Sequence, residues 1–119
     1  MYAQTVEALR EQGLDKGYAT FWNANILTEL SNGEIDVVSL AKVGAGESTT
    51  LEPYRWLESE EDFEMDRPQE PVFLLLGIWE MGNMDTFLEQ TQAERIKSVG
   101  EYELYIIPTQ RLLFEVMGA

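Results

Sequence analysis

The sequence predicts an α/β domain, with α+β as the open alternative. The expected architecture is a single-layer mixed β-sheet of about five strands with helices packed on it. Three observations carry this prediction. Val72-Phe73-Leu74-Leu75-Leu76-Gly77-Ile78-Trp79 is an unbroken apolar run framed by Pro71 and Gly82, the pattern of a strand buried on both faces. Strand-like and helix-period segments alternate along the chain. Two β-rich segments flank the second helical one, and the right-handed crossover rule places such a pair side by side and parallel.

Element by element, Ala3–Gln12 reads as a helix. Val6 and Leu9 share a face at i, i+3, and Gly13 can close it in a left-handed cap. Gly17–Phe21 reads as a short strand. Trp22, Ile26 and Leu30 then recur at i, i+4, i+8, one face of an amphipathic helix that Ser31-Asn32-Gly33 stops. Ile35–Leu40 reads as a strand and Gly44–Ser48 as a loop. From Trp56 to Pro71 acidic residues dominate, with Phe63 as an anchor in a solvated loop or short surface helix. Asp85–Gln92 reads as a helix with Asp85 or Asn83 near its cap. Glu101–Ile107 and Arg111–Val116 read as two strands of a hairpin around Pro108-Thr109-Gln110.

Composition narrows the chemistry. Hydrophobic residues make up 45% of the 119 and aromatics 11%, enough burial to offset ordering one domain. The net charge of -14 opposes nucleic acid and anionic membrane surfaces, so no nucleic-acid partner is expected. The absence of Cys and His removes disulfides, thiolate and imidazole metal ligands, a Cys nucleophile and a Ser-His-Asp triad. No cofactor and no metal site is expected. The longest apolar run, eight residues, is far short of the roughly 20 that span a bilayer as a helix. Met1–Gly13 has neither the basic region nor the apolar core of a signal peptide. The chain starts inside what reads as a helix, which suggests a piece of a longer protein.

Several constellations have bland readings that outweigh functional ones. The acids between Glu58 and Asp66 lack the spacing and the turn glycine of a calcium loop and read as a solvated face. Glu80 and Asp85 flank Met81–Met84 at the end of the apolar run, where ligands sit in open α/β sheets. As a pair they are candidates for acid–base work, but loop acids and helix caps account for them more simply. Gly44-x-Gly46 is a flexible turn, not a phosphate cradle. Met81, Met84 and the tryptophans Trp22, Trp56 and Trp79 read as core. Tyr54, Trp56 and Trp79 lie near loop ends, where aromatic faces can also stack on sugars.

The segment Gly17-Tyr-Ala-Thr-Phe-Trp-Asn-Ala-Asn-Ile-Leu-Thr-Glu-Leu-Ser-Asn-Gly33 gathers amides and hydroxyls around a strand-to-helix junction. Tyr18, Thr20, Trp22, Asn23 and Asn25 are the candidate binding residues. Such groups suit neutral polyols or an anion; the alternative is that Thr20 and Asn23 cap the helix while Tyr18 packs. No catalytic residue is assigned.

This segment resembles the pattern G-Y-A-x-Y/F-W-x-A-x-x-x-T-x-L-S-x-G. That pattern occurs in the C-terminal soluble tail of bacterial multi-pass membrane proteins resembling the dolichyl-phosphate-mannose-dependent mannosyltransferases. Trp56-Leu57, the Phe73–Leu76 strand and Gly100, Tyr102 and Tyr105 are compatible with it. The resemblance implies one extracytoplasmic domain, residues 1–119, at the C-terminus of a membrane glycosyltransferase-like protein. Its catalytic carboxylates would lie in the membrane portion, so none maps onto this chain. The implied partners are a glycan or lipid-linked sugar and the parent membrane domain. The competing expectation is a free-standing acidic, cytoplasmic protein-interaction module without enzymatic activity.

Overall fold

A computed structural model describes residues 2–20, 35–44, 46, 49–53 and 67–117. Helix α1 is Tyr2–Gln12, strand β1 Lys16–Thr20, β2 Asp36–Val43 and β3 Thr50–Pro53. Then come β4 (Val72–Gly77), a 3-10 turn (Ile78–Glu80) and helix α2 (Asp85–Gln90). The chain finishes with β5 (Glu94–Val99), β6 (Tyr102–Ile107) and helix α3 (Gln110–Met117). The six strands form one mixed sheet in the order β3-β2-β1-β4-β6-β5. The three central strands β2, β1 and β4 run parallel, while β3, β6 and β5 pair antiparallel. This is an α/β fold, with one strand more than the sequence suggested.

The period-2 alternation of the strands sorts side chains onto two covered faces. On one face Val6, Ala8 and Leu9 of α1 meet Ala19, Val37, Phe73, Leu75 and Leu104. On the other, Met84, Phe87, Leu113 and Phe114 from α2, α3 and the residue before α2 meet Tyr18, Val38, Leu40, Leu74 and Ile107. Because both faces are covered, every residue of β4 is buried, which is why this strand reads as an unbroken apolar run.

Local chemistry sets the element ends. Gly13 (φ +70°) closes α1: its N–H donates to Arg10 O and that of Leu14 to Leu9 O at 2.9 Å, the paired bonds of a Schellman cap. Lys16, buried on β1, donates to Asp36 at 2.6 Å. These two are register partners in the parallel β1–β2 pair, the side-by-side parallel arrangement that the crossover rule anticipates.

Three expectations change. The apolar run does not continue as a strand to Trp79. The Glu80 carboxylate accepts the Gly77 N–H at 2.8 Å, the Ile78 N–H donates to Glu101 O, and the chain turns. Trp79 is 60% exposed instead of core. The segment Arg111–Val116 is helical. The Thr109 hydroxyl accepts the Leu112 N–H at 3.1 Å as an N-cap, and Leu113, Phe114 and Met117 share one inward helical face. The hairpin partner of β6 is instead β5, an edge strand of Glu, Arg and Lys with a register irregularity between Arg95 and Lys97. Charges and bulges are how sheet edges resist further pairing, and they also hide the strand from a hydrophobicity reading. The predicted helix from Trp22 to Leu30, the Gly33 cap and the acidic run from Glu58 to Asp66 lie outside the described residues.

Candidate functional site

The sheet order creates one special place. From β1 the chain passes to β2 on one side, while β4 lies on the other side of β1. In strand order, the carboxyl end of β1 is therefore a topological switch point. The loop after β2 contributes Gly44 (φ +88°) and Gly46 (φ +56°), and the connection after β4 contributes Asn83 (φ +63°). Both glycines take left-handed φ values, which favour glycine. A latch joins the two sides: Lys42 Nζ on β2 donates to Glu80 O beyond β4 at 2.9 Å.

Between these loops is a cavity of about 220 Å³ lined by Gly46, Asn83, Asp85 and Thr86. Three of its four lining residues carry polar side chains. A Cβ built on Gly46 would meet nothing within 4 Å, so this wall is bare backbone. Behind the cavity, Met81 is half-buried and Met84 fully buried in the core. The Tyr105 hydroxyl points at Met81 Sδ, 3.9 Å away. Burial raises the Tyr105 pKa above its ordinary 10.0; the Glu103 and Asp85 charges add to this and Arg95 opposes it.

The sequence-predicted binding residues are not all gathered here. Tyr18 is fully buried. Its ring meets Phe114 edge-on with centroids 6.1 Å apart, and its hydroxyl accepts from Gln110 Nε2 at 3.1 Å. It therefore faces the core and not solvent. Thr20 ends β1 at the switch point and is partly exposed. Trp22, Asn23 and Asn25 lie outside the described residues. Of the two strand-end acids, Glu80 spends one oxygen on the Gly77 N–H, and Asp85 lines the cavity.

The sequence carries no mark that singles out Thr86 or Lys42, and in it Gly46 and Asn83 read as turn and cap. Each was visible singly. What unites them is that β2 and β4 flank β1, which no spacing in the sequence announces.

Among the described residues no group of three or more carboxylates could hold a metal ion, and no helix is long and apolar enough to cross a membrane. No protein-family model, curated protein or solved structure matches the chain.

Proposed function

We propose that this chain is a non-catalytic domain of a membrane glycosyltransferase-like protein. In this reading it recognises or positions a sugar acceptor in cell-envelope glycan assembly, on the extracytoplasmic side of a bacterial membrane. The observation that supports the proposal is the open crevice between the loops after β2 and β4, lined by Gly46, Asn83, Asp85 and Thr86. Amide, carboxylate and hydroxyl groups in a concave site suit hydroxyl-rich ligands. The chain carries neither an imidazole base nor a thiolate nucleophile.

The test is an antibody against this domain, applied to fractionated source cells. A band several-fold heavier than 13.6 kDa in the membrane pellet is the expected result. A soluble band at 13.6 kDa overturns the reading. That outcome would favour a second one, an acidic protein-interaction module. Ile78 and Trp79, 52% and 60% exposed on a chain of net charge -14, support it as an apolar anchor on an acidic surface.

A further inference from the structure

We propose that the exposed Ile78–Trp79 turn after β4 docks a basic segment of a protein partner, an arginine side chain lying on the Trp79 indole and an aliphatic neighbour on Ile78. This rests on the protein-contact part of the second reading above and names the partner's chemistry. It does not depend on the sugar-acceptor reading.

Trp79 is exposed, yet it is seated. Gly77 has φ -76° and ψ 151°, extended backbone that any residue adopts. Its conformation therefore does not ask for glycine. The indole does: a Cβ on Gly77 would stand 2.6 Å from Trp79 Cζ2 and 2.7 Å from Cε2. The Tyr102 ring makes a T-shaped contact with the same indole, with centroids 5.3 Å apart. The turn beneath is clamped as well. The Glu80 carboxylate accepts the Gly77 N–H at 2.8 Å, the Ile78 N–H donates to Glu101 O at 2.8 Å, and Lys42 Nζ donates to Glu80 O at 2.9 Å.

A ring that served the core alone would be covered. This one is held by Gly77 and Tyr102 while 60% of it faces solvent, beside Ile78 at 52%. Fixing a large side chain before contact lowers the ordering cost of binding, and Trp is enriched among the side chains that anchor interfaces.

Charge chooses the partner. From Pro68 to Glu94 the chain has no Lys or Arg and carries Glu70, Glu80, Asp85, Glu89 and Glu94. Of the cations on nearby strands, Lys42 is engaged by the Glu80 carbonyl and Arg95 pairs with Glu103 at 3.7 Å. Lys97 is on β5, two strands away from β4. With a net charge of -14 the chain repels a second copy of itself, nucleic acid and anionic lipid, and attracts a cationic segment. Among cations, the planar, weakly hydrated guanidinium stacks on an indole better than an ammonium does.

The experiment titrates the whole ¹⁵N-labelled chain with three short peptides that alternate leucine with arginine, with lysine or with glutamate. The expected result is saturable shifts of the Trp79 indole N–H and of the Ile78, Trp79 and Tyr102 amides with the arginine peptide below about 1 mM. The lysine peptide should bind more weakly and the glutamate peptide not at all. Trp79→Leu keeps apolar bulk but removes the aromatic face; it should weaken the arginine peptide about tenfold and erase its advantage over lysine. Ile78→Ser should weaken both basic peptides alike. Glu7→Gln and Glu11→Gln, at exposed positions of α1, should leave affinity unchanged, which separates a local site from attraction by net charge. Melting curves check that each variant is folded.

The proposal is overturned by no saturation up to about 1 mM, by shifts centred away from this turn, by equal binding of the glutamate peptide, or by native affinity in both Trp79→Leu and Ile78→Ser. Concentration-dependent shifts of the same amides in the chain alone would give the turn to a second copy. Trp79-dependent binding to phosphatidylcholine vesicles without peptide binding would give it to a lipid surface. Either result also overturns the proposal. Cell fractionation fails separately: a soluble 13.6 kDa band without peptide binding leaves an interaction module and removes this turn as its docking surface. A heavy membrane band with peptide binding does the reverse.

Discussion

The Phe73 ring lies directly on the α-carbon of Gly17, its register partner on the adjacent parallel strand. A methyl group built on Gly17 would stand 2.2 Å from Phe73 Cδ2. Phe73 is fully buried, so the ring has no open space to move into. Gly17 is therefore demanded by packing between β1 and β4. Gly17→Ala should destabilise the chain by about 2–4 kcal/mol, at or above the usual cost of overpacking. Phe73→Leu should recover part of that loss in the Gly17→Ala background, whereas alone it should only destabilise. Urea denaturation of the four proteins in this cycle checks it; strictly additive effects would show that the two residues do not collide.

Leu75 lies in the middle of β4 between β1 and β6 and is fully buried against α1's face of the sheet. Leu75→Asp places a carboxylate where no cation partner is in reach among the residues of its cluster. A loss of at least about 3 kcal/mol is expected, seen as a collapse of the thermal transition. A melting temperature like that of the native chain would disprove the central position of this strand.

That strand was readable because burial on both faces removes the usual alternation and leaves consecutive Phe73-Leu74-Leu75-Leu76. The parallel β1–β2 pair was readable because crossover handedness leaves little choice. Other parts were not. Leu112-Leu113-Phe114 resembles a strand until Thr109 is recognised as a cap and the i, i+3 and i, i+4 relations to Val116 and Met117 are weighed. β5 places the inward-facing Ile96 among the charges that shield an edge, so its hydrophobic signal is faint. The crevice was legible only as fragments, because adjacency across β1 is a property of sheet order and not of sequence spacing.

Gln110 ties three segments together. Its Nε2 donates to the Tyr18 hydroxyl at 3.1 Å, its Oε1 accepts the Arg67 N–H at 2.9 Å, and its own N–H donates to Glu70 O. Tyr18→Phe should cost about 1–3 kcal/mol, because it takes the phenol oxygen from the buried Gln110 Nε2 donor. Gln110→Ala should cost about 2–4 kcal/mol, since it removes the side-chain bonds to Tyr18 and Arg67 and leaves a cavity at a fully buried position. Denaturant midpoints measure both. An equal cost for the two variants would mean that the link to Arg67 contributes nothing.

Gln92 ends α2 in the same conformation that Gly13 gives α1. Its φ is +56°, its N–H donates to Glu89 O, and the Ala93 N–H donates to Leu88 O. Glycine adopts this geometry without the Cβ penalty, although it gives up more chain entropy on folding. Gln92 is exposed, so little packing is lost with its side chain. Gln92→Gly should therefore stabilise the chain by about 0.5–1 kcal/mol, a rise measurable in the denaturant midpoint. A fall would show that the Gln side chain contributes more than the cap conformation costs.

Tyr105 gives stability an alkaline limit. Burial first, then the charge of Glu103, holds its pKa above 10.0 in the folded chain; Arg95 opposes them and Asp85 adds to them. Between the unfolded and folded values the native state binds more protons than the unfolded state, so stability falls as pH rises. The contribution of the neutral phenol is thus complete below pH 10 and is lost as pH climbs through the folded value. Tyr105→Phe cannot ionise and lacks that loss. The stability difference between the native chain and Tyr105→Phe, measured in urea at pH 8 and again near about pH 11, should shift in favour of the variant at the higher pH. Comparing the two proteins cancels the titration of the lysines and of the other four tyrosines among the five present. A difference that does not change with pH would show that the folded chain does not favour the neutral Tyr105 phenol.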